Sequence, residues 1–236
     1  MSMNPAPRSL TRATVTAWLT RFAATVRSVE PELTALDQQA GDGDFGTNLA
    51  TGMDGVRRAL DGLSATPTVG EDTAVTPLAA AARVFLDEVG GTSGPLFGLL
   101  FQELAAAVAA AAPTPPGTGE LAAGVAAGTA AIQRVGEAEV GDKTMIDALL
   151  PAAKALADCP STADPARSLR LAAVAAHRGA RATAYLRARR GRASYTGDHS
   201  VGVPDPGALA VALLFASADG ELTTVSRLPE HRGAEY

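Results

Sequence analysis

Cysteine is nearly absent from this chain: Cys159 stands alone among 236 residues. One thiol cannot close an internal disulfide, and such usage fits a reducing compartment. No histidine lies near it in sequence, so it reads as a plain residue at a helix end. Aromatic residues make up 4% of the chain, with a single Trp, too few for a sheet core rich in aromatic and β-branched side chains. Charge is scarce as well, at 19% of residues with a formal net charge of -5. Without a basic excess, a general nucleic-acid binder is not expected, because such affinity comes from neutralising phosphates. Long hydrophobic runs are missing too. The opening "MSMNPAPRSLTRA" has no continuous apolar stretch of the kind a secretory signal needs. Alanine-rich pieces such as "LAAAVAAAA" are bounded by glutamate and proline and are short for a bilayer. The expected location is the cytoplasm, with no membrane partner. Neither an internal repeat nor sustained polar–apolar alternation occurs, and His177, His199 and His231 show no metal-ligand spacing; His199 is expected on the surface.

What the chain does have is alanine and helical periodicity, with 47% hydrophobic residues, enough for a real core. Apolar spacing and punctuation predict helices over 9–29, 31–39, 45–61, 75–89, 95–111, 118–135, 144–157, 165–189 and 206–217. The first two flank Pro31 and count as one if the helix is merely kinked, which makes eight. The expectation is an all-α bundle in one domain, 1–217, followed by a loosely held polar tail, 218–236. "PTPPGTG" and "SATPTVGEDTAVTP" read as surface connections.

The informative residues cluster in four glycine-rich stretches that open helices. In "LDQQAGDGDFGTN", Asp37 falls in a last helical turn, while Asp42 and Asp44 follow in an extended piece where alternate side chains point the same way. Three carboxylates this close repel one another unless a cation sits among them. Oxygen ligands without Cys or His suit magnesium or calcium. An EF-hand is excluded, since counting from Asp42 places Met53 at position twelve. "FGTN" then opens a helix whose free N–H groups suit an anion; the plainer alternative is a glycine turn with Asp44 as N-cap. "VGGTSGPLFG" offers Thr92 and Ser93 at another helix start, either a phosphate cradle or a capped turn. "GEAEVGDKTMIDALLP" approaches a P-loop at Gly136 and Gly141, but Asp142 intervenes before Lys143 and no strand precedes it. Met145 there reads as an exposed-edge residue able to cover a flat ring. "GRASYTGDHSVGVPDPGA" carries Arg192, open to phosphate, a base or solvent, then Asp205 as N-cap and Pro206 at the first helical position.

In these four ordered stretches the chain resembles DhaL, the nucleotide-binding subunit family of dihydroxyacetone kinase. The resemblance spans about residues 36 to 208. It implies an eight-helix antiparallel up-and-down barrel with the nucleotide-binding loops at one end. It also implies two Mg2+ ions on Asp37, Asp42 and Asp44, bridging the phosphates of ADP or ATP. Phe45, Gly46, Thr47, Asn48, Thr92 and Ser93 would contact phosphate. Gly136, Met145, Arg192, Asp205, Pro206 and Gly207 would enclose the nucleotide, in part around adenine. The implied activity is phosphoryl transfer to dihydroxyacetone held on a separate DhaK-like subunit, so no catalytic residue is assigned here. The donor would be exchanging ATP, or a DhaM-like phosphoprotein that recharges bound ADP. Another short ketose, an acyl acceptor, or a nucleotide-charged regulatory module without turnover are the alternatives. The family pattern reads "GDGDHG", and this chain has Phe45 where histidine is expected.

Overall fold

The computed structural model describes residues 9–65, 73–91 and 93–229, which form eight α-helices and no strand. They are α1 (Arg12–Ala40), α2 (Phe45–Ala65), α3 (Val75–Asp87), α4 (Ser93–Ala110), α5 (Thr118–Gly136), α6 (Ile146–Ala157), α7 (Pro165–Ala182) and α8 (Pro206–Ala216). Capping signals explain several starts. Thr11 and Thr14 cap α1 reciprocally through side chain and backbone. Asp164 and Asp205 each accept from a first-turn N–H ahead of Pro165 and Pro206. Pro is preorganised for that first position, where its missing N–H costs nothing.

Pro31 does not split α1, which runs unbroken from Arg12 to Ala40. An interior proline costs about 3 kcal/mol; here the fully buried Val26, Val29 and Leu33 on either side offset it. α7 ends at Ala182, short of the expected 189, and passes through a 3-10 turn at Thr183–Tyr185. The remainder of that segment joins the long loop before α8, where Arg192–Ser200 forms further 3-10 turns.

Each helix packs against the next in sequence, and α8 packs back against α1. The loops after α1, α3, α5 and α7 all fall at one end, since residues from each line one cleft. α8 is not equivalent to its neighbours, because its side chains are buried on nearly every face. The stretch after it explains why. Leu222 and Leu228 are buried, the Leu222 N–H donates to Thr25 Oγ1 of α1, and the Pro229 carbonyl meets His177 Nδ1 of α7. Residues 218–229 therefore strap across α8 from α1 to α7, rather than hanging as a loose tail. By length and composition α4 could cross a membrane, but Phe97, Leu100, Phe101 and Leu104 are buried where it meets α3 and α5. Its apolarity belongs to the core.

Small residues set the helix separations. A Cβ on Gly124 would lie 2.9 Å from Leu104 Cα, and one on Gly179 would lie 2.0 Å from the Asp147 carbonyl oxygen. Gly179→Ala gains about 1 kcal/mol of helix propensity, but α6 and α7 must part to admit the methyl. The clash outweighs the gain, and a net loss of about 1–3 kcal/mol is expected, read as a lower urea midpoint. A midpoint at or above the parent's would refute so tight a crossing.

Candidate nucleotide and metal site

The four same-end loops enclose a cleft of about 220 Å³. At one side stands the acidic trio. Asp37 comes from the last turn of α1, and Asp42 and Asp44 from the four-residue link to α2. One oxygen from each lies within 4.8 Å of the others. The α2 start locks the first of them, as the Phe45 N–H donates to Asp37 Oδ2 at 3.1 Å. Asp37's carboxyl is held above the usual carboxylate range, first by loss of solvation and further by the charges of Asp42 and Asp44. The site thus stores repulsion that a cation would relieve. Three hard oxygen donors without nitrogen or sulfur fit a magnesium- or calcium-like ion. Arg192 supplies part of that positive charge, with Nη1 2.6 Å from Asp42 Oδ2.

The other side is apolar, built from Leu96, Ile132, Ala138, Met145 and Ile146. Met145 is 5% exposed, a buried wall residue instead of the expected exposed edge, because α6 starts against α8. A Cβ on Gly207 would lie 3.7 Å from both Met145 Cβ and the Phe45 ring. Phe45 therefore turns its ring toward this apolar side.

Of the residues singled out in the sequence, Asp37, Asp42, Asp44, Phe45, Ser93, Gly136, Met145, Arg192, Asp205, Pro206 and Gly207 all line the cleft. Gly46, Thr47 and Asn48 do not. Gly46 presses against α1, where a Cβ would come 2.7 Å from the Glu30 carbonyl oxygen. Thr47 Oγ1 donates to Glu30 Oε1 at 3.0 Å, and the Asn48 amide reaches toward Gly91. Thr92 lies outside the described residues, as do His231 and the side chain of His199.

Residues 39–219 match the DAK2 domain family. The chain belongs to that family. It is 39% identical over 186 residues to the ADP-binding subunit DhaL of a PEP-dependent dihydroxyacetone kinase from Listeria innocua, covering 79% of this chain and 83% of that one. It is also 39% identical over 213 residues to an L-erythrulose 1-kinase from Mycolicibacterium smegmatis, covering 89% of this chain but 35% of the relative. Among solved structures, the dihydroxyacetone kinase of C. freundii in complex with AMP-PNP and Mg2+ superposes with a TM-score of 0.64 at 27% identity. That match covers 92% of this chain and 36% of the kinase. The sequence thus spans about a third of the length of those two kinases.

Sequence reasoning passed over the network behind the cleft of this DAK2 domain. Lys143, weighed only as a broken P-loop lysine, is 2% exposed. Asp142 accepts from the Glu139 N–H at 3.0 Å and pairs with Arg190 Nε at 3.4 Å. Asp147 caps the α6 start, accepting from the Gly141 and Thr144 N–H groups at 2.6 and 2.9 Å. The available signal was an unusual density of charge between glycines just ahead of an apolar helix. Asp205 is half-buried in the cleft, and loss of solvation pushes its carboxyl up to about 7. The Ala208 N–H and Lys143 oppose that rise.

A raised folded-state value makes the domain hold its proton longer than the unfolded chain does. That contribution to stability is complete below the ordinary carboxylate value and is lost as pH rises toward about 7. Asp205→Asn keeps a cap acceptor but cannot ionise. In EDTA, its stability relative to the parent is expected to rise between about pH 4 and pH 7 and then level off, measured by denaturant titration at each pH. Parallel curves across that window would contradict the assignment.

Proposed function

We propose that this domain binds a magnesium–adenine nucleotide and hands its terminal phosphoryl group to a small ketose held on a partner subunit. The observation that carries this reading is the division of one cleft into a trio of carboxylates and an apolar wall. A nucleotide has matching halves, a polyphosphate needing cations and a flat base needing apolar surface. Asp37, Asp42 and Asp44 would hold the metal, two ions on the family pattern, which when bound neutralises charge on the transferring group. α2 and α4 direct their N-terminal ends at the cleft, where helix dipoles and free N–H groups favour an anion. Arg192, now paired with Asp42, would turn from it to phosphate. Met145 and the Pro206–Gly207 start of α8 would flank the base.

Phosphoryl transfer needs positioning and electrostatics more than covalent help from protein. The acceptor, with any base that takes its proton, would sit on a DhaK-like partner, and a DhaM-like phosphoprotein or ATP would supply the phosphoryl group. Dihydroxyacetone is the first acceptor to test, following the Listeria innocua relative. Erythrulose is the second, because the Mycolicibacterium smegmatis erythrulose kinase is equally identical over a longer stretch. The reading places this work in the cytoplasm, in keeping with the lone cysteine.

Calorimetry with ADP should show binding that requires Mg2+. The double variant Asp42→Ala/Asp44→Ala should lose about 100-fold or more in affinity, which is about 2.7 kcal/mol, with its helical circular dichroism intact. ADP binding undiminished in that variant, or equally strong in EDTA, would defeat the proposal.

A further inference from the structure

Among the described residues, Lys143 is the one buried cation beside the cleft, and nothing in the phosphate chemistry above calls on it. It lies in the α5–α6 loop with a φ of 63°, a left-handed conformation that glycine adopts at no steric cost. A lysine in that place implies that its side chain is used. Lys143 and Lys154 are the only lysines in the sequence, the other basic residues being arginine. A compact ammonium with three rotatable donors suits a tight buried position that a rigid guanidinium fork does not.

The ammonium joins chain segments far apart in sequence. Nζ donates to the Thr183 carbonyl at 2.7 Å and to the Val203 carbonyl, with the carboxylates of Asp205 and Asp147 nearby. A second strut runs parallel to it, as the Asp205 N–H donates to Thr183 Oγ1 at 2.7 Å. These bonds fix the end of α7, the lead into α8 and the lead into α6 to one point. Two residues past Lys143 is Met145; two and four residues past Val203 are Asp205 and Gly207. None of the bonds made by Nζ reaches the α1–α2 link that carries the acidic trio.

We infer that Lys143 is a positioning residue that holds the α6 and α8 starts at a fixed separation, so that Met145 and Gly207 form a preset slot for a flat base. The inference rests on the nucleotide reading above. Lys143 bears most directly on the apolar half, because its bonds hold the leads into α6 and α8 and it reaches the acidic side only through the loop that carries Arg192. Removing the ammonium strands two main-chain carbonyls and frees both loops, while the carboxylate cluster keeps its own supports.

Lys143→Met preserves length and apolar stem but deletes the donors. Binding of Mg-ADP and of Mg-pyrophosphate, which has no base, should be compared by calorimetry in parent and variant. The expected result is roughly a tenfold or greater loss for ADP, with a clearly smaller loss for pyrophosphate, whose carboxylate-held metal does not depend on Lys143. Equal losses for both ligands would reduce Lys143 to general structural support, and no loss for either would remove its role; each overturns the inference. A parent that binds pyrophosphate but gains nothing from the base would overturn the nucleotide reading itself, and this inference with it. Should Lys143→Met fail to fold, Thr183→Val cuts the parallel strut and should show the same selective loss for ADP. Unchanged ADP binding in a folded Thr183→Val would count against the inference.

Discussion

Mutual repulsion among Asp37, Asp42 and Asp44 is the constraint around which the open end of this bundle is arranged. Carboxylates with oxygens inside 4.8 Å of one another call for compensation from donors or positive charge. The protein provides part of it locally, through the Phe45 N–H on Asp37 and the Arg192 guanidinium on Asp42. Both come from segments that the bundle topology delivers to the same end. The Phe45 N–H belongs to the first residue of α2, and Arg192 to the loop between α7 and α8. An arrangement that placed successive loops at random ends would leave the acidic trio without the Arg192 counter-charge.

The helical positions were legible in the sequence because alanine-rich segments with apolar stripes offer little else to form. The ends predicted at 39 and 135 and the starts predicted at 165 and 206 lie within a residue of those in the structure. Failures came where tertiary contacts overrode a local signal. Pro31 left one helix or two open, and α1 continues because both flanks are buried. "ADGELTTVSRLPEHRGAEY" reads as a loose polar tail, yet Leu222 and Leu228 are enough to fasten residues 218–229 over α8; residues 230–236 lie outside the described residues. At the cleft, Gly46 and Thr47 read as phosphate contacts from their place at a helix start. The structure packs the Thr47 hydroxyl and the Gly46 Cα against Glu30, leaving only their N–H groups for that part, and a sequence does not disclose which side of a first turn faces a neighbour. Lys143 was invisible for a related reason, since its partners are main-chain carbonyls, which carry no residue signature.

Glycine and alanine do more here than permit turns. Gly124, Gly128 and Gly179 bring backbones into contact where any side chain would clash, so helices approach closely along their lengths. Close approach leaves little room for a ligand within the bundle. The cleft consequently lies at the loop end, where connections such as 137–145 and 183–205 are long enough to hold walls apart. Bonds from Lys143, Asp142 and Asp147 then prevent those long connections from collapsing inward or fraying. The buried polar network belongs to the architecture of the opening, not to the core beneath it.

Phe45 shows how the two halves of the cleft meet. Its backbone serves the acidic side through Asp37, and its ring faces Met145 and Gly207 on the apolar side. A histidine in this position would bring a titratable, hydrogen-bonding ring to the boundary; phenylalanine brings none. Under the nucleotide reading, the charge work on the phosphate side then falls to the metal-holding carboxylates, the helix N-termini and Arg192. That distribution suits transfer dominated by electrostatics, because none of those groups must gain or lose a proton as the phosphoryl group moves. The ring instead extends the apolar surface beside Met145 and Gly207 that the nucleotide reading offers to a base.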